Sequence, residues 1–343
     1  MELDDLIRPN ILAMKPYSSA RDEFSGQAGI FLDANENPNE TGLNRYPDPY
    51  QKEIKRKLSA LKGVAENRIF LGNGSDEPID LLIRIFCRPG VDSILILDPT
   101  YGMYQVAAAV NDVTVIKAPL TENFELDPET VLSQIQRDTK IIFLCSPNNP
   151  SGNLLSKTAM QRIMGNFTGI VVVDEAYIDF TDDPGFIDEL DKYPHLVVLQ
   201  TFSKAWGMAG LRVGMAFASE RIIQLLNKVK PPYNINILSQ QKILNALENP
   251  ENVKTAMTEI ISQRSWLREH LANHPSVEKI YPSDSNFLLI RFRDAQKIFR
   301  ELLSLQIITR DRSSVLHGSN CLRITVGTPE ENKKLVEALF EMT

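Results

Sequence analysis

Short apolar runs rich in β-branched residues alternate with helical patterns between residues 29 and 233. Runs typical of strands begin near residues 68, 93, 112, 140, 170, 195 and 213, with helical spacing of apolar residues between most of them. Alternation of this kind predicts a mostly parallel sheet that is covered by helices on both faces. The sequence therefore predicts an α/β domain built on a seven-stranded sheet.

A proline pair, Pro231-Pro232, breaks this alternation and marks a change of domain. Long helical segments are predicted from residue 239 to about 274. They are followed by strands near residues 285–292, 306–310 and 321–325 and a final helix from Pro329. This order is typical of a smaller α+β domain. We therefore divide the chain into an N-terminal arm (1–28), a large domain (29–233) and a small domain (234–343), and expect the arm to pack on the small domain.

The composition is that of an ordinary globular protein, with 43% hydrophobic and 24% charged residues in a chain of 343. A formal net charge of −7 argues against nucleic acid and acidic membranes as partners, because both reward clustered lysine and arginine. Three cysteines in apolar patterns fit reduced thiols, and four histidines show no metal-ligand spacing. With no apolar leader and no run long enough for a bilayer, we expect a cytoplasmic protein.

Polar side chains follow three consecutive predicted strands, at the point where each strand ends. Lys204 follows the run 195–200, Asp174 and Tyr177 follow the run 170–173, and Asn149 follows the run 140–145. Each alone has an ordinary interpretation: a surface lysine, a capping acid and a turn asparagine. Open α/β sheets bind their ligands at the carboxyl ends of the strands, so together these residues predict one ligand site.

A fourth polar segment, Gly72-Asn73-Gly74-Ser75-Asp76-Glu77-Pro78, lies between a predicted strand and a predicted helix. Backbone N–H groups at such a helix start can bind an anion, and the helix dipole favours it. Ordinary N-capping by Ser75 or Asp76 is the alternative, and it is compatible with anion binding. The segment therefore predicts a phosphate cradle.

In these motifs the chain resembles the fold-type-I pyridoxal-phosphate aminotransferases, and most closely the histidinol-phosphate aminotransferases. The similarity continues through Arg45-Tyr46-Pro47-Asp48, the segment 99–104 (PTYGMY) and the segment 321–327 (CLRITVG). Each motif alone is weak evidence, whereas their order and spacing along nearly the whole chain are specific. The resemblance implies a fold-type-I large domain, pyridoxal 5'-phosphate as cofactor and a homodimer, with the N-terminal arm reaching across the dimer.

The resemblance also implies roles for individual cofactor-binding residues. Lys204 matches the lysine that binds the cofactor covalently and later moves a proton, and Asp174 matches the carboxylate that pairs with the pyridine nitrogen. Tyr177 and Asn149 match the groups that contact the ring hydroxyl, and Tyr101 matches the aromatic residue that stacks on the ring. The residues that match the phosphate-binding groups are Gly74, Ser75, Asp76, Thr201, Ser203 and Arg212.

A second set matches residues that select the substrates. Arg323, Arg310 and Tyr17 match residues that receive the substrate phosphate, Tyr46 matches a tyrosine from the neighbouring subunit, and Asn149 is shared with the cofactor. Arg323 would also take the carboxylate of glutamate, because a guanidinium group can bind either anion through two hydrogen bonds.

The implied reaction moves an amino group between L-glutamate and imidazole-acetol phosphate, giving L-histidinol phosphate and 2-oxoglutarate in histidine biosynthesis. An aromatic amino-acid aminotransferase and a threonine-phosphate decarboxylase stay open, because both share the cofactor residues and differ only in the substrate pocket. A non-catalytic pyridoxal-phosphate sensor is a further alternative. It is disfavoured because no basic helix-turn-helix segment precedes Asp33.

Overall fold

The computed structural model describes residues 3–17 and 30–342. Within these residues, seven strands form the larger sheet, in the order β1-β7-β6-β5-β4-β2-β3. All neighbours from β6 through β3 are parallel, whereas β7 is antiparallel to both β6 and β1. The predicted mostly parallel sheet is therefore confirmed. Its strands are β1 (Ile69–Asn73), β2 (Ser93–Asp98), β3 (Thr114–Pro119), β4 (Thr139–Cys145), β5 (Ile170–Asp174), β6 (Leu196–Thr201) and β7 (Val213–Ala218).

Helices cover both faces of this sheet, as the alternation predicts. Within β5, Val171 and Val173 face one apolar cluster while Ile170 and Val172 face another, because successive side chains of a strand point to opposite faces. Both clusters are buried, which explains why the central strands are apolar at every position. The helices of the N-terminal two thirds are α1 (Leu3–Leu6), α2 (Pro9–Ala13), α3 (Lys52–Lys62), α4 (Asp76–Phe86), α5 (Met103–Val110), α6 (Pro128–Gln134), α7 (Lys157–Asn166) and α8 (Glu220–Val229).

The N-terminal arm packs on the large sheet's helices over its described part. Leu6, Ile7 and Ile11 belong to the apolar cluster that contains α4 and α8. The backbone N–H of Arg8 donates to the carbonyl of Ile85 at 3.0 Å. The expected packing on the small domain is therefore wrong for residues 3–13, because their apolar side chains fill a groove between two large-domain helices. Residues 18–28 of the arm lie outside the described residues.

A second sheet forms in the C-terminal third. Among the described residues it has four antiparallel strands in the order β10-β11-β9-β8. Its helices enclose a third apolar cluster. The boundary between residues 233 and 234 stays a prediction. The elements are α9 (Ile237–Glu248), α10 (Pro250–Leu271), β8 (Val277–Ile280), β9 (Phe287–Phe292), α11 (Ala295–Ser304), β10 (Arg310–Asp311), β11 (Cys321–Thr325) and α12 (Pro329–Glu341).

Two elements of the second sheet differ from the sequence prediction. The strand expected over residues 306–310 is reduced to Arg310–Asp311, because Gln306 adopts a left-handed backbone conformation and Ile307 still hydrogen-bonds back to Leu302 in α11. The strand β8 was not predicted, since its central residues are exposed and polar. No helix among residues 3–17 and 30–342 combines the length and apolarity needed to cross a bilayer.

Gly214 in β7 is required by the close approach of the chain before α4. A Cβ there would collide with the backbone of Gly74 and Ser75. We expect Gly214→Ala to lower the free energy of unfolding in urea by about 1–3 kcal/mol, because overpacking forces the backbone apart. Gly165→Ala in α7 is the matched control, since a Cβ there meets no atom within 4 Å. It should raise stability by about 0.5–1 kcal/mol. Equal effects of the two changes would contradict the packing described.

Candidate active site

The carboxyl ends of the central strands converge on one pocket. Paired positions Cys145 and Asp174 end β4 and β5 side by side, and the loop that carries Lys204 follows β6. The residues that line this pocket come from five segments that are distant in the sequence. They are Gly74, Ser75, Asp76, Tyr101, Cys145, Asp174, Ala176, Tyr177, Thr201, Ser203, Lys204 and Arg212.

Ten of the eleven predicted cofactor-binding residues line this pocket. The eleventh, Asn149, lies next to it and is hydrogen-bonded to Tyr177. The structure thus brings the set together, while the role of each residue stays a prediction.

Lys204 lines the pocket, and the pKa of its amine is lowered. Burial lowers the pKa of the Lys204 amine, and repulsion from Arg323 and Arg212 lowers it further, while Asp174 and Asp76 partly restore it. Its Nζ lies 5.6 Å from the centre of the Tyr177 ring. A buried lysine of this kind can act as a nucleophile or a base nearer to neutral pH than an exposed one.

Asp174 is the buried anion of the pocket. Its Oδ2 accepts a hydrogen bond from the Tyr104 hydroxyl at 2.6 Å, and its Oδ1 accepts one from the Ala176 N–H at 3.1 Å. Burial raises the pKa of Asp174 to about 6, although the hydrogen bonds from Tyr104 and Ala176 oppose that rise. An ionised carboxylate at this depth is stabilised by a cationic partner, so the site favours a ligand that places a positive charge beside Asp174.

Tyr104 is a member of this site that the sequence reasoning missed. It is completely buried and stacks on Phe143 at 4.7 Å between ring centroids. Tyr104 ends the motif Pro99–Tyr104, which the sequence shows. An aromatic residue on the apolar face of a helix is usually part of the hydrophobic core, so the sequence offered no reason to assign it to the site.

The N-terminus of α4 forms a cradle for an anion. Gly74 has a φ of 68°, and a Cβ at this position would lie 2.7 Å from Nη2 of Arg212. The Arg212 guanidinium contacts Ser203 Oγ and Asp76 Oδ2, both at 3.4 Å. Ser75 occupies the N-cap position, yet its side chain makes no capping hydrogen bond. The cradle thus combines a helix dipole, an arginine and a hydroxyl that does not cap the helix.

A hydrogen-bonded chain joins the two sheets across the pocket. Arg323 of β11 donates to Asn149 Oδ1 at 2.6 Å, and Asn149 Nδ2 donates to the Tyr177 hydroxyl at 3.2 Å. The guanidinium also lies over the Phe287 ring at 5.1 Å. Burial raises the pKa of Tyr177 well above its usual range, so the phenol stays protonated near neutral pH.

A larger cleft of about 760 Å³ opens beside this pocket and shares Lys204 and Tyr177 with it. The same cleft is lined by three arginines, Arg310, Arg312 and Arg323. Two of these were predicted from the sequence, whereas Arg312 was missed. The signal that could have found it is its spacing of two from Arg310, which places both side chains on one face of an extended segment.

The predicted tyrosines Tyr17 and Tyr46 line neither the Lys204 pocket nor the arginine cleft of the described protomer. Tyr17 borders a small depression with Tyr50 and Lys230. Tyr46 stacks on Tyr233 with ring centroids 4.5 Å apart. Their predicted roles in substrate binding stay predictions, because Tyr46 was expected to act on a neighbouring subunit.

The raised pKa of Asp174 predicts a pH-dependent effect of Asp174→Asn on the cofactor-free protein. The folded state holds this proton up to about pH 6, compared with an ordinary pKa of 3.8. The stabilisation of the folded state by this proton is therefore fully present below the ordinary pKa of 3.8, and it is lost as the pH rises through the raised pKa of about 6. In urea, the wild type and Asp174→Asn should have nearly the same free energy of unfolding near pH 4. Near pH 7 the variant should be more stable than the wild type by about 3 kcal/mol. A difference that does not vary with pH would refute this.

Comparison with known proteins agrees with the fold and the site. The family model for aminotransferase class I and II matches residues 30–339. A histidinol-phosphate aminotransferase from Cytophaga hutchinsonii is 57% identical over 341 residues, covering 98% of each chain. One from Parabacteroides distasonis is 53% identical over 341 residues, covering 99% of each.

Solved structures show the same fold. The histidinol-phosphate aminotransferase from Clostridium acetobutylicum has a TM-score of 0.81 at 25% identity, with 88% of this chain and 91% of that chain covered. The enzyme from Sinorhizobium meliloti, in complex with pyridoxal-5'-phosphate, has a TM-score of 0.80 at 22% identity, with 88% and 83% covered. The predicted fold class and family are thus confirmed. The chain belongs to the class I and II aminotransferase family and, within it, to the histidinol-phosphate aminotransferases.

Proposed function

We propose that this protein transfers an amino group between L-glutamate and imidazole-acetol phosphate, giving L-histidinol phosphate and 2-oxoglutarate. The observation that carries this proposal is the shared cleft, in which Lys204 lies at one wall and the arginines Arg310 and Arg323 lie at another. A molecule that reacts at Lys204 can thus place an anionic group on the arginines. The relatives from Cytophaga hutchinsonii and Parabacteroides distasonis, both histidinol-phosphate aminotransferases, support this choice of reaction.

Pyridoxal 5'-phosphate is the proposed cofactor, because the pocket supplies a partner for each of its polar groups. Gly74, which has no Cβ, leaves room for a phosphate beside Arg212, and Thr201 and Ser203 add hydroxyls. The buried Asp174 carboxylate suits a protonated ring nitrogen, and Tyr177 with Asn149 suits a ring oxygen. When bound, this cofactor withdraws electrons from the amino acid and makes its Cα proton labile.

Lys204 is the proposed base that moves this proton at its Nζ. Its pKa is lowered first by burial and then by Arg323, which favours the neutral amine that a base requires. The guanidinium of Arg323 is itself held by Asn149, so the group that depresses the pKa of Lys204 is fixed in place. Arg323 would thus serve both substrate binding and proton transfer.

Asp174 and Tyr177 are proposed to orient the cofactor from opposite sides. The Tyr104 hydroxyl holds one Asp174 oxygen at 2.6 Å and so fixes the rotamer of the carboxylate. The Asn149 amide holds the Tyr177 hydroxyl in the same way. Tyr101, whose hydroxyl donates to Asp76 at 3.1 Å, is positioned to form an aromatic wall.

The arginine-lined cleft favours substrates that carry more than one negative charge. Phenylalanine and tyrosine each carry one monoanionic carboxylate, so they would leave part of the positive charge of this cleft unpaired. Histidinol phosphate carries a dianionic phosphate in place of a carboxylate, and glutamate carries two carboxylates. The phosphate-bearing substrate is therefore preferred over an aromatic amino acid on physical grounds, and the relatives favour histidinol phosphate over threonine phosphate.

We also propose a cytoplasmic homodimer, in which Tyr17 and Tyr46 contribute to substrate binding. An exposed apolar surface near the N-terminus supports the dimer: Ile30 is 80% exposed, Leu32 89% and Leu43 57%. Large apolar patches on a protein surface usually mark sites of association. Tyr46 lies close to this segment in the sequence, where a second copy of the chain would cover it.

The proposed reaction predicts a specific spectral change in a single turnover. The purified holoenzyme should convert its visible cofactor spectrum to the pyridoxamine form with histidinol phosphate, much faster than with phenylalanine or threonine phosphate. Lys204→Ala should remove the proton transfer and slow this conversion by at least about a thousandfold. Preference for phenylalanine or threonine phosphate would assign the chain a different substrate, and full turnover by Lys204→Ala would reject the proposed role of the lysine.

The cross-subunit role of Tyr46 predicts complementation between two defective proteins. Tyr46→Phe should lower kcat/KM for histidinol phosphate by about tenfold to a hundredfold, because one hydrogen bond to a charged group is lost. A mixed dimer of Tyr46→Phe with Lys204→Ala would contain one intact site, so mixing should restore activity above the sum of the separate proteins. No gain in confirmed mixed dimers would show that Tyr46 does not act across the interface.

A further inference from the structure

Three arginines are held close together on one side of the substrate cleft. In the antiparallel pair of β10 and β11, Arg310 lies directly opposite Arg323. Beyond the end of β10, the Arg312 N–H donates to the carbonyl of Cys321 at 2.8 Å, so the pairing continues to this residue. Since side chains alternate along a strand, Arg310 and Arg312 lie on the same face as Arg323. All three line the cleft that also contains Lys204.

The acid between the first two arginines does not form an ion pair with them. Asp311 points to the opposite face, where its carboxylate accepts hydrogen bonds from Gln296 at 2.6 Å and from the Ser313 N–H at 2.8 Å. Among residues 3–17 and 30–342, no carboxylate lies within ion-pair distance of Arg310, Arg312 or Arg323. Like charges placed side by side on a sheet are destabilising, so this arrangement costs folding energy.

The charged form of Arg312 is clearly disfavoured by burial and by its neighbours. Burial lowers the pKa of Arg312 to about 10, and repulsion from Arg323 and Arg310 adds to the effect. Its Nε is buried with no hydrogen-bond partner in the described part of the chain. Arg323 has an unpartnered Nε as well, but its Nη1 is engaged by Asn149. An unpaired, half-buried guanidinium that lines a cleft is arranged for an anion that is brought by a ligand.

We propose that Arg312 is a specificity-determining residue that binds the phosphate of the phosphorylated substrate, so that three guanidinium groups receive that dianion. This inference rests on the proposed function and extends it. Arg323, which is already bonded to Asn149, serves the monoanionic carboxylate of glutamate and the phosphate alike. Arg312 adds a cation that only the dianion needs, and so separates the two substrates that share the site.

The test pairs a change in the protein with a change in the substrate. We compare kcat/KM of the holoenzyme for histidinol phosphate, histidinol and glutamate in the wild type, Arg312→Gln and Arg312→Lys. Arg312→Gln should lower the value for histidinol phosphate by about tenfold to a hundredfold, the factor that corresponds to one charge-assisted hydrogen bond. The values for histidinol and glutamate should change by less than about threefold. The kcat/KM of Arg312→Lys for histidinol phosphate should lie between those of the wild type and Arg312→Gln, because lysine keeps the charge but lacks the planar guanidinium group.

Two readouts do not depend on turnover. The calorimetric Kd of inorganic phosphate for the holoenzyme, whose cofactor fills the other phosphate cradle, should rise about tenfold or more in Arg312→Gln. The Tm of the same variant without added anion should rise by about 1–3 °C, because one of three repelling cations is removed. Arg300→Gln on α11 is the matched control, since it removes the same charge from an exposed site that lines neither cavity, and it should change none of these values.

The outcomes separate this inference from the proposed function. Equal losses with histidinol phosphate and histidinol, or a lower Tm with an unchanged phosphate Kd, would assign Arg312 a structural role and overturn the inference. A wild-type protein that does not convert histidinol phosphate would instead reject the proposed function, and the phosphate Kd would still test Arg312 directly.

Discussion

The contact between Arg323 and Asn149 sets the geometry of the whole site. It joins the smaller sheet to the carboxyl end of β4 through a charge-assisted hydrogen bond of 2.6 Å. Through Asn149 it also fixes the Tyr177 hydroxyl, and it holds a positive charge close enough to lower the pKa of Lys204. The orientation of the phenol and the basicity of the lysine, together with the proposed binding of substrates, therefore depend on one interaction between the two sheets.

The electrostatic layout places opposite charges on the two sides of Lys204. Asp174 and Asp76 favour its protonated form, whereas Arg323 and Arg212 oppose it. Because Asp174 is buried and Arg323 is partly buried, these effects are weakly screened by solvent. A ligand that neutralises the carboxylates lowers the pKa of Lys204, and a ligand that neutralises the arginines raises it. The same site can thus hold its proton at one stage of a reaction and release it at another.

Much of this layout was predictable from the sequence, because parallel strands bring their carboxyl ends together. The polar residues after the runs 140–145, 170–173 and 195–200 were expected to meet, and they line adjoining cavities. Tyr104 was not identified, because a buried tyrosine on an apolar helix face differs from a core residue only through a tertiary contact with Asp174. Arg312 was not identified because it lies just beyond β10, a strand of two residues that is too short to show an alternating pattern.

Other differences arose where local sequence does not fix the tertiary partner. The arm was expected to pack on the small domain, because the sequence does not indicate which domain its apolar residues cover. The polar strand β8 was overlooked because it is recruited by pairing with β9 and not by its own hydrophobicity. The domain boundaries and the individual roles of the site residues stay predictions for the same reason.

The position of the cofactor is tested most directly by fixing it chemically to the protein. The holoenzyme is reduced with borohydride and digested, and the peptide that carries the phosphopyridoxyl group is identified by mass spectrometry. We predict that the label lies on Lys204 in the segment 201–214. Lys55 is the natural competitor, because burial lowers its pKa to about 8, and a label on Lys55 in place of Lys204 would contradict the proposed site.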